Sequence, residues 1–393
     1  MRLDDMTAIL GILAMLARHG FRPLEGMNAR TSGLIRSYFI CIAVLFTSAV
    51  NGYLLYHRLN VYDSGRVIGN FVKTIFMVLA VRDREDFVFV LKVYVVVFFL
   101  TGIYYYVPVT QELQNVTNRY QAKKSIRARD MGINANTYGY YLSIAVMFLI
   151  FLKEQGEGLF SRRRSLLNNA VLLFFLLVLA SLYFRMSLIA ALLVFLYSQI
   201  IKKRAALIFF VLFAMTITLF AASFIFNYIH TFDPTDIGDR YGRFWQGIAL
   251  FKQRPIFGHG LGQELFLIPL TSSHNSVSMN LSETGLIGFG TLIIFMVKLL
   301  GNLYVYSRRH KPLHVPFSMG LALLLLLSPT PAIWVDKTSM FLMCMLVVYI
   351  LICAREEEKA EEEGAGVEYS DTVTPAASGT PELSSPRFSK KLT

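Results

Sequence analysis

Charge is scarce in this chain. Only 16% of its 393 residues are Asp, Glu, Lys or Arg, against about 25% in an ordinary soluble domain. With 55% hydrophobic residues and apolar runs along most of the length, this excludes a soluble globular class and indicates a polytopic membrane protein. Backbone groups in lipid must be satisfied within the chain, so the expected fold class is all-α, a transmembrane helical bundle. Acidic residues are the scarcer sign, 26 against 38 basic ones, for a net charge of +12. In a soluble protein that excess would indicate a nucleic-acid partner. Here the bases gather in short loops between apolar runs, at Arg162, Arg163 and Arg164, at Lys202, Lys203 and Arg204, and at Arg308, Arg309 and Lys311. That is the ordinary result of the positive-inside rule, so the expected surroundings are lipid and no nucleic acid.

Other absences narrow the chemistry. There are three cysteines, Cys41, Cys344 and Cys353, all in or beside apolar runs and without CxxC spacing. They are read as structural, with no disulfide framework. No DxD pair occurs. Asp233, Asp236 and Asp239 are spread by three with Pro234 among them, so no metal site is expected. GHGLGQ at 258–263 is not GxGxxG and no GK[ST] follows. It is read as a tight turn with a structural His259, and no cofactor is expected. Met6–Ala17 follows Asp4 and Asp5 and lacks a basic start or a small-residue cleavage pattern, so no cleavable signal peptide is expected.

What the chain does have is about 10–12 candidate helices, since a span needs roughly 20 apolar residues. They fall at 6–17 (short), 34–56, 67–81, 87–107, 133–153, 165–183, 187–201, 205–226, 277–300, 313–328 and 332–353. The basic loops 161–164, 202–204 and 307–311 are expected on the cytoplasmic side. The segments 108–132 and 227–276 and the turn at Arg185 then fall on the far side. Residues 1–353 form the membrane domain, with 227–276 an external loop subdomain. Residues 354–393 form a cytoplasmic tail that starts as the charge run AREEEKAEEEG and ends rich in Ser, Thr, Pro and Gly, a disordered composition.

The arginines that positive-inside bias does not explain are the candidates for function. Arg185 lies in SLYFRMSLIAAL, between two apolar runs. A lone arginine near a helix end commonly snorkels to headgroups, whereas charges at membrane depth are costly and usually functional. Arg240 and Arg243 are three apart, which on a helix puts both on one face. Asp236 or Asp239 would cap that helix, Pro255 lies past its end, and Tyr241, Trp245 and Ile248 would form a membrane-facing stripe. Such a helix reads as an interfacial amphipathic element, as an arginine fork for phosphate, or as both. Arg127 and Arg129 belong to a basic stretch, 108–132, that either sits at headgroup level or serves the site. His274 precedes a helix expected from Ser276, with Ser272 or Ser273 as its cap. A helix N-terminus disfavours imidazolium, which leaves a neutral proton acceptor. Glu283 lies within the apolar run that follows, and Gly285, Gly288 and Gly290 read as packing positions.

Taken in order, four segments resemble the O-antigen ligase and polymerase superfamily of bacterial membrane glycosyltransferases. ARDMGINANTYGYYLSI at 128–144, with Asn136, resembles its glycine–asparagine segment. FRMSLIAALL at 184–193 resembles its arginine turn, with Phe184 where the family has Ser. RYGRFWQGIALFKQRPIFGHGLG at 240–262 resembles its arginine–tryptophan–glycine segment. HNSVSMNLSETGLIG at 274–288, with Asn275 and Glu283, resembles its histidine–asparagine segment. The resemblance covers roughly Arg127 to Ile294. It implies a GT-C-type bundle in the bacterial inner membrane, an undecaprenyl-pyrophosphate-linked glycan donor, and transfer at the periplasmic face without metal. It further implies that Arg185, with Arg240 or Arg243, handles pyrophosphate and that His274 is the general base. An O-antigen ligase is the first expectation, with a lipid A–core sugar as acceptor. The alternatives are an O-antigen polymerase, a protein O-oligosaccharyltransferase and, outside the enzymes, a lipid-linked glycan transporter.

Overall fold

The computed structural model describes residues 29–58, 60–81, 83–115, 135–160, 165–181, 185–201, 234–268, 275–309, 314–327 and 337–362. These residues fold as α1 (Ala29–Tyr56), α2 (Val61–Ala80), α3 (Arg84–Asn115), α4 (Ala135–Glu154), α5 (Ser165–Ser181), α6 (Arg185–Ile201), α7 (Pro234–Gln253), α8 (Glu264–Leu267), α9 (Ser276–Arg309), α10 (His314–Leu327) and α11 (Lys337–Glu362). Four stretches are long and apolar enough to cross a membrane: Arg30–Tyr56, Arg84–Ile103, Ser276–Arg308 and Ser339–Lys359. Leu166–Leu179, Met186–Gln199 and Val315–Leu324 are shorter apolar helices. The expected spans at 6–17 and 205–226 lie outside the described residues. The expected span at 67–81 falls in α2, which carries Asp63, Arg66 and Lys73 and is not among the four.

Local chemistry sets several boundaries. Asp83 accepts the Asp86 amide at 2.9 Å and so opens α3, whose first turn holds Glu85 and Asp86, the sign that a helix N-terminus favours. His57 at φ 52 turns the chain out of α1 in the left-handed conformation typical of a helix end. Pro234 opens α7, where a proline costs no hydrogen bond. Asp236 and Asp239 therefore lie inside that helix rather than at its cap.

Two helices form the centre. In α4, Leu142 and every residue from Ile144 to Leu152 is buried, and in α11 the same holds from Leu342 to Ala354. A helix apolar all round is an interior helix. α3, α5, α6, α10 and α11 all pack on α4, while α1 and α10 flank α9. The other helices keep a lipid-type apolar outer face, with Phe39, Ile40, Phe46 and Val50 on α1 and Ile293, Ile294 and Val297 on α9 all exposed.

Side-chain contacts fix which helix ends share a side. At one end Lys92 meets Glu157 at 3.1 Å, Arg84 bonds Gln155, and Ser198 donates to Glu154 at 2.8 Å. At that end too Tyr197 and Tyr304 both pack on Phe317, Tyr306 meets Thr31 at 3.1 Å, and Lys298 reaches the Gly33 carbonyl at 3.0 Å. The helix ends that lead in sequence to the basic segments 161–164, 202–204 and 307–311 lie at this end. The opposite end holds the C-terminus of α1 and the N-termini of α2, α6 and α9.

A loop clamped into a broken helix: the candidate functional site

α9 is interrupted at Gly285, at φ 63 and ψ −165. That region of backbone space belongs almost solely to glycine. Gly285 is thus a hinge in the chain path rather than the packing position its sequence suggests. The apolar half of α9 lies beyond it, and the polar half, Ser276–Thr284, lies before it.

A helix break frees carbonyls on one side and amides on the other, and in a membrane these need partners. The loop after α7 supplies them. The amides of His259 and Gly260 donate to the carbonyls of Ser282 and Glu283, both at 2.8 Å. The amides of Leu286 and Ile287 donate to Pro255 and Ile256 at 2.8 and 3.3 Å. The Ser48 hydroxyl adds a bond to the Glu283 carbonyl at 2.9 Å. GHGLGQ is therefore a turn, as expected, and it holds no phosphate with the amides of Gly258, His259 and Gly260, because each donates within the fold.

Close approach explains the glycines. Gly260 has φ 107, and a Cβ there would lie 2.2 Å from the Gly52 Cα of α1. A Cβ on Gly285 would lie 2.3 Å from the Ile256 carbonyl oxygen. Gly285→Ala should therefore lose about 1–3 kcal/mol to backbone strain alone, with the Ile256 contact added. The expected result is a clear drop in thermal unfolding temperature and in folded yield, while Gly290→Ala, where a Cβ meets nothing within 4 Å, should leave both unchanged.

α1 contributes a polar face that sequence reading passed over as part of a span. Ser48 bonds the broken helix, Asn51 donates to the Gly258 carbonyl at 3.4 Å, and Tyr56 bonds His259. Just past α1, Asn60 donates to the Gly262 carbonyl at 3.1 Å and Gln263 to the Arg58 carbonyl at 2.8 Å. The signal was there: Ser48, Asn51, Gly52 and Tyr56 recur at helical spacing in an otherwise apolar run. Glu264 is buried and accepts the Ser282 hydroxyl at 2.5 Å.

His259 is buried, and its Nε2 lies 2.9 Å from the Leu250 carbonyl. A carbonyl only accepts, so Nε2 carries the proton and Nδ1 receives the Tyr56 hydroxyl. Burial lowers the His259 pKa, the Leu250 bond opposes that, and nearby Arg254 lowers it further. A histidine held neutral in the fold binds fewer protons than the unfolded chain. Its stabilisation is present above the unfolded value of about 6.5 and is lost as pH falls below it toward the folded value. The thermal unfolding temperature should drop between pH 7.5 and 5, by more in the wild type than in His259→Gln.

The other candidates distribute as follows. Arg185 is the first residue of α6, at the end opposite the basic loops. Arg240 and Arg243 both lie on α7, one turn apart, and Arg243 is half-buried. Trp245 is 48% exposed and meets Phe244 edge-on with ring centroids 5.5 Å apart, and α7 packs on α9. Asn275 caps α9. Its Oδ1 accepts the amides of Val277 and Ser278 at 2.9 and 3.3 Å, so the cap is Asn275 and neither Ser272 nor Ser273. Glu283 is buried just ahead of the break. Asn136 lies in the first turn of α4. Arg127, Arg129 and His274 lie outside the described residues, His274 being next in sequence to the Asn275 cap. The structure thus puts Arg185 and the start of α9 at the same end of the bundle and packs the arginine helix α7 on α9. No protein-family model matches the chain, and no curated protein matches it.

Proposed function

We propose that this chain is a membrane glycosyltransferase of the O-antigen ligase and polymerase type. It takes a glycan from undecaprenyl pyrophosphate and passes it to an acceptor hydroxyl on the periplasmic side of a bacterial inner membrane. The observation that carries the reading is that Arg185 opens α6 at the bundle end remote from the basic loops, the end where α9 starts. It is supported by the α7 helix of Arg240 and Arg243, which packs on α9, and by His274, which precedes the Asn275 cap in sequence. Positive-inside bias puts basic residues at the other end, so Arg185 needs another reason. Guanidinium groups match phosphate oxygens bidentately. Pyrophosphate is already a good leaving group, so the site needs charge stabilisation for it and a base for the incoming hydroxyl. His274 is that base. Direct attack at the anomeric carbon inverts its configuration. Among acceptors, a lipid A–core sugar, and hence ligase activity, is the first choice.

The break in α9 bears on a transporter reading, because transporters bind substrate at discontinuous helices near the midplane. Here the break lies toward one end of α9, and carbonyls and amides on both sides of it are bonded to the chain's own loop. Bonds that close the break within the chain leave it no free backbone groups there for a substrate, which favours transfer chemistry.

The test is mass spectrometry of glycolipids from a deletion strain. Loss of a ligase leaves lipid-linked polymer beside uncapped core. Loss of a polymerase leaves single repeats on core, which would replace the ligase assignment. An unchanged glycolipid profile would overturn the proposal altogether.

A further inference from the structure

We infer that His259 is a positioning residue that sets the arginine helix α7 against the rest of the site, an inference resting on the donor-binding role proposed for Arg240 and Arg243. His259 joins three helices through three different atoms. Its Nε2–H donates to the Leu250 carbonyl in the last turn of α7. Its Nδ1 receives the Tyr56 hydroxyl from the end of α1. Its backbone amide donates to the Ser282 carbonyl on the polar half of α9.

The helix it holds needs holding. The last carbonyls of any helix lack partners within that helix, and the Leu250 carbonyl takes its partner from a residue fixed elsewhere. The splint is rigid because the residue that follows, Gly260, lies backbone to backbone on Gly52 of α1, and Ser48, four residues earlier on that helix, bonds the Glu283 carbonyl. Arg243 stands two turns before Leu250 on the same face of α7, and Arg240 one turn further. A tilt at the Leu250 end is therefore carried along α7 to both arginine positions, in a site that works by placement. His259 itself is fully engaged and takes no part in proton transfer to substrate.

The test uses the purified full chain in nanodiscs with an undecaprenyl-pyrophosphate-linked repeat as donor. In His259→Ala the KM for donor should rise about tenfold, the scale of one buried hydrogen bond, while the KM for acceptor stays unchanged. His259→Gln offers one donor and one acceptor and should recover most of the loss, and Tyr56→Phe should lose less than His259→Ala. An independent readout needs no turnover: spin labels at Gln246→Cys on α7 and Leu54→Cys on α1, both exposed positions. Their distance distribution should be narrow in the otherwise unchanged protein and with His259→Gln, and shifted or broadened with His259→Ala. An unaltered distribution in His259→Ala, or donor and acceptor KM rising together, would overturn the positioning role. Absence of any transfer by the wild type would instead remove the proposed function, and the label distances would still decide the splint.

Discussion

Purified His274→Ala should fold, bind donor lipid and transfer almost nothing. General-base catalysis is worth about 10²–10⁴-fold, and that is the loss expected in turnover at saturating donor. The warrant is local. α9 starts at Ser276, and the Asn275 Oδ1 caps its first turn by accepting hydrogen bonds from the Val277 and Ser278 amides. His274 directly precedes that cap in sequence, and in the proposed mechanism its imidazole takes the proton from the acceptor hydroxyl. The arginines are untouched by the substitution, so donor affinity should persist. His274→Gln would keep a hydrogen bond to the acceptor and lose the proton transfer, so it should be as slow as the alanine variant. Near wild-type turnover in His274→Ala would take histidine out of the mechanism.

Helix positions were legible in the sequence because lipid makes a coarse demand: about 20 apolar residues per crossing. The expected runs 34–56, 165–183 and 187–201 lie on α1, α5 and α6 almost end for end. The charge run after 353 does continue α11 as far as Glu362. The helix bearing Arg240 and Arg243 was legible too, from their spacing and from Pro255 beyond its end. What sequence did not disclose was the joint between elements far apart in the chain. Gly285 looks like any small residue in an apolar run until Ile256 is seen against it. Ser48 and Tyr56 look like tolerated polar residues in a span until their partners arrive from more than 200 positions away. The cap differs from the expected Ser272 or Ser273 for a related reason: Asn and Ser are nearly equal as caps, and the helix starts at Ser276, which makes Asn275 the capping residue.

Arg185→Ala should lose about 10²–10³-fold in transfer, the range seen when one preorganised charge-stabilising donor is removed, without loss of fold. Two physical arguments separate this residue from a snorkelling arginine. The first is sidedness. Arg185 opens α6 at the end remote from the basic loops, whereas Tyr197 near the other end of α6 packs on Phe317, which also carries Tyr304 of α9. Positive-inside bias therefore does not put it there. The second is the helix itself. A cation is stabilising at a helix C-terminus and unfavourable in the first turn, by about 0.3–1 kcal/mol at an exposed site, so α6 gains nothing from Arg185 and should tolerate alanine well. Both trends run against Arg185, which is why the proposed function gives it the pyrophosphate. Arg185→Lys retains the charge and loses the planar fork, so it should recover little. Arg243→Ala should weaken donor binding more than Arg240→Ala, since Arg243 is half-buried on α7, beside the aromatic pair Phe244 and Trp245. The measurement is kcat and KM for donor in nanodiscs across the four variants, with thermal unfolding as the control for folding. Full activity in Arg185→Lys at normal expression would mean that any cation suffices there, and the pyrophosphate fork would have to be sought on α7 alone.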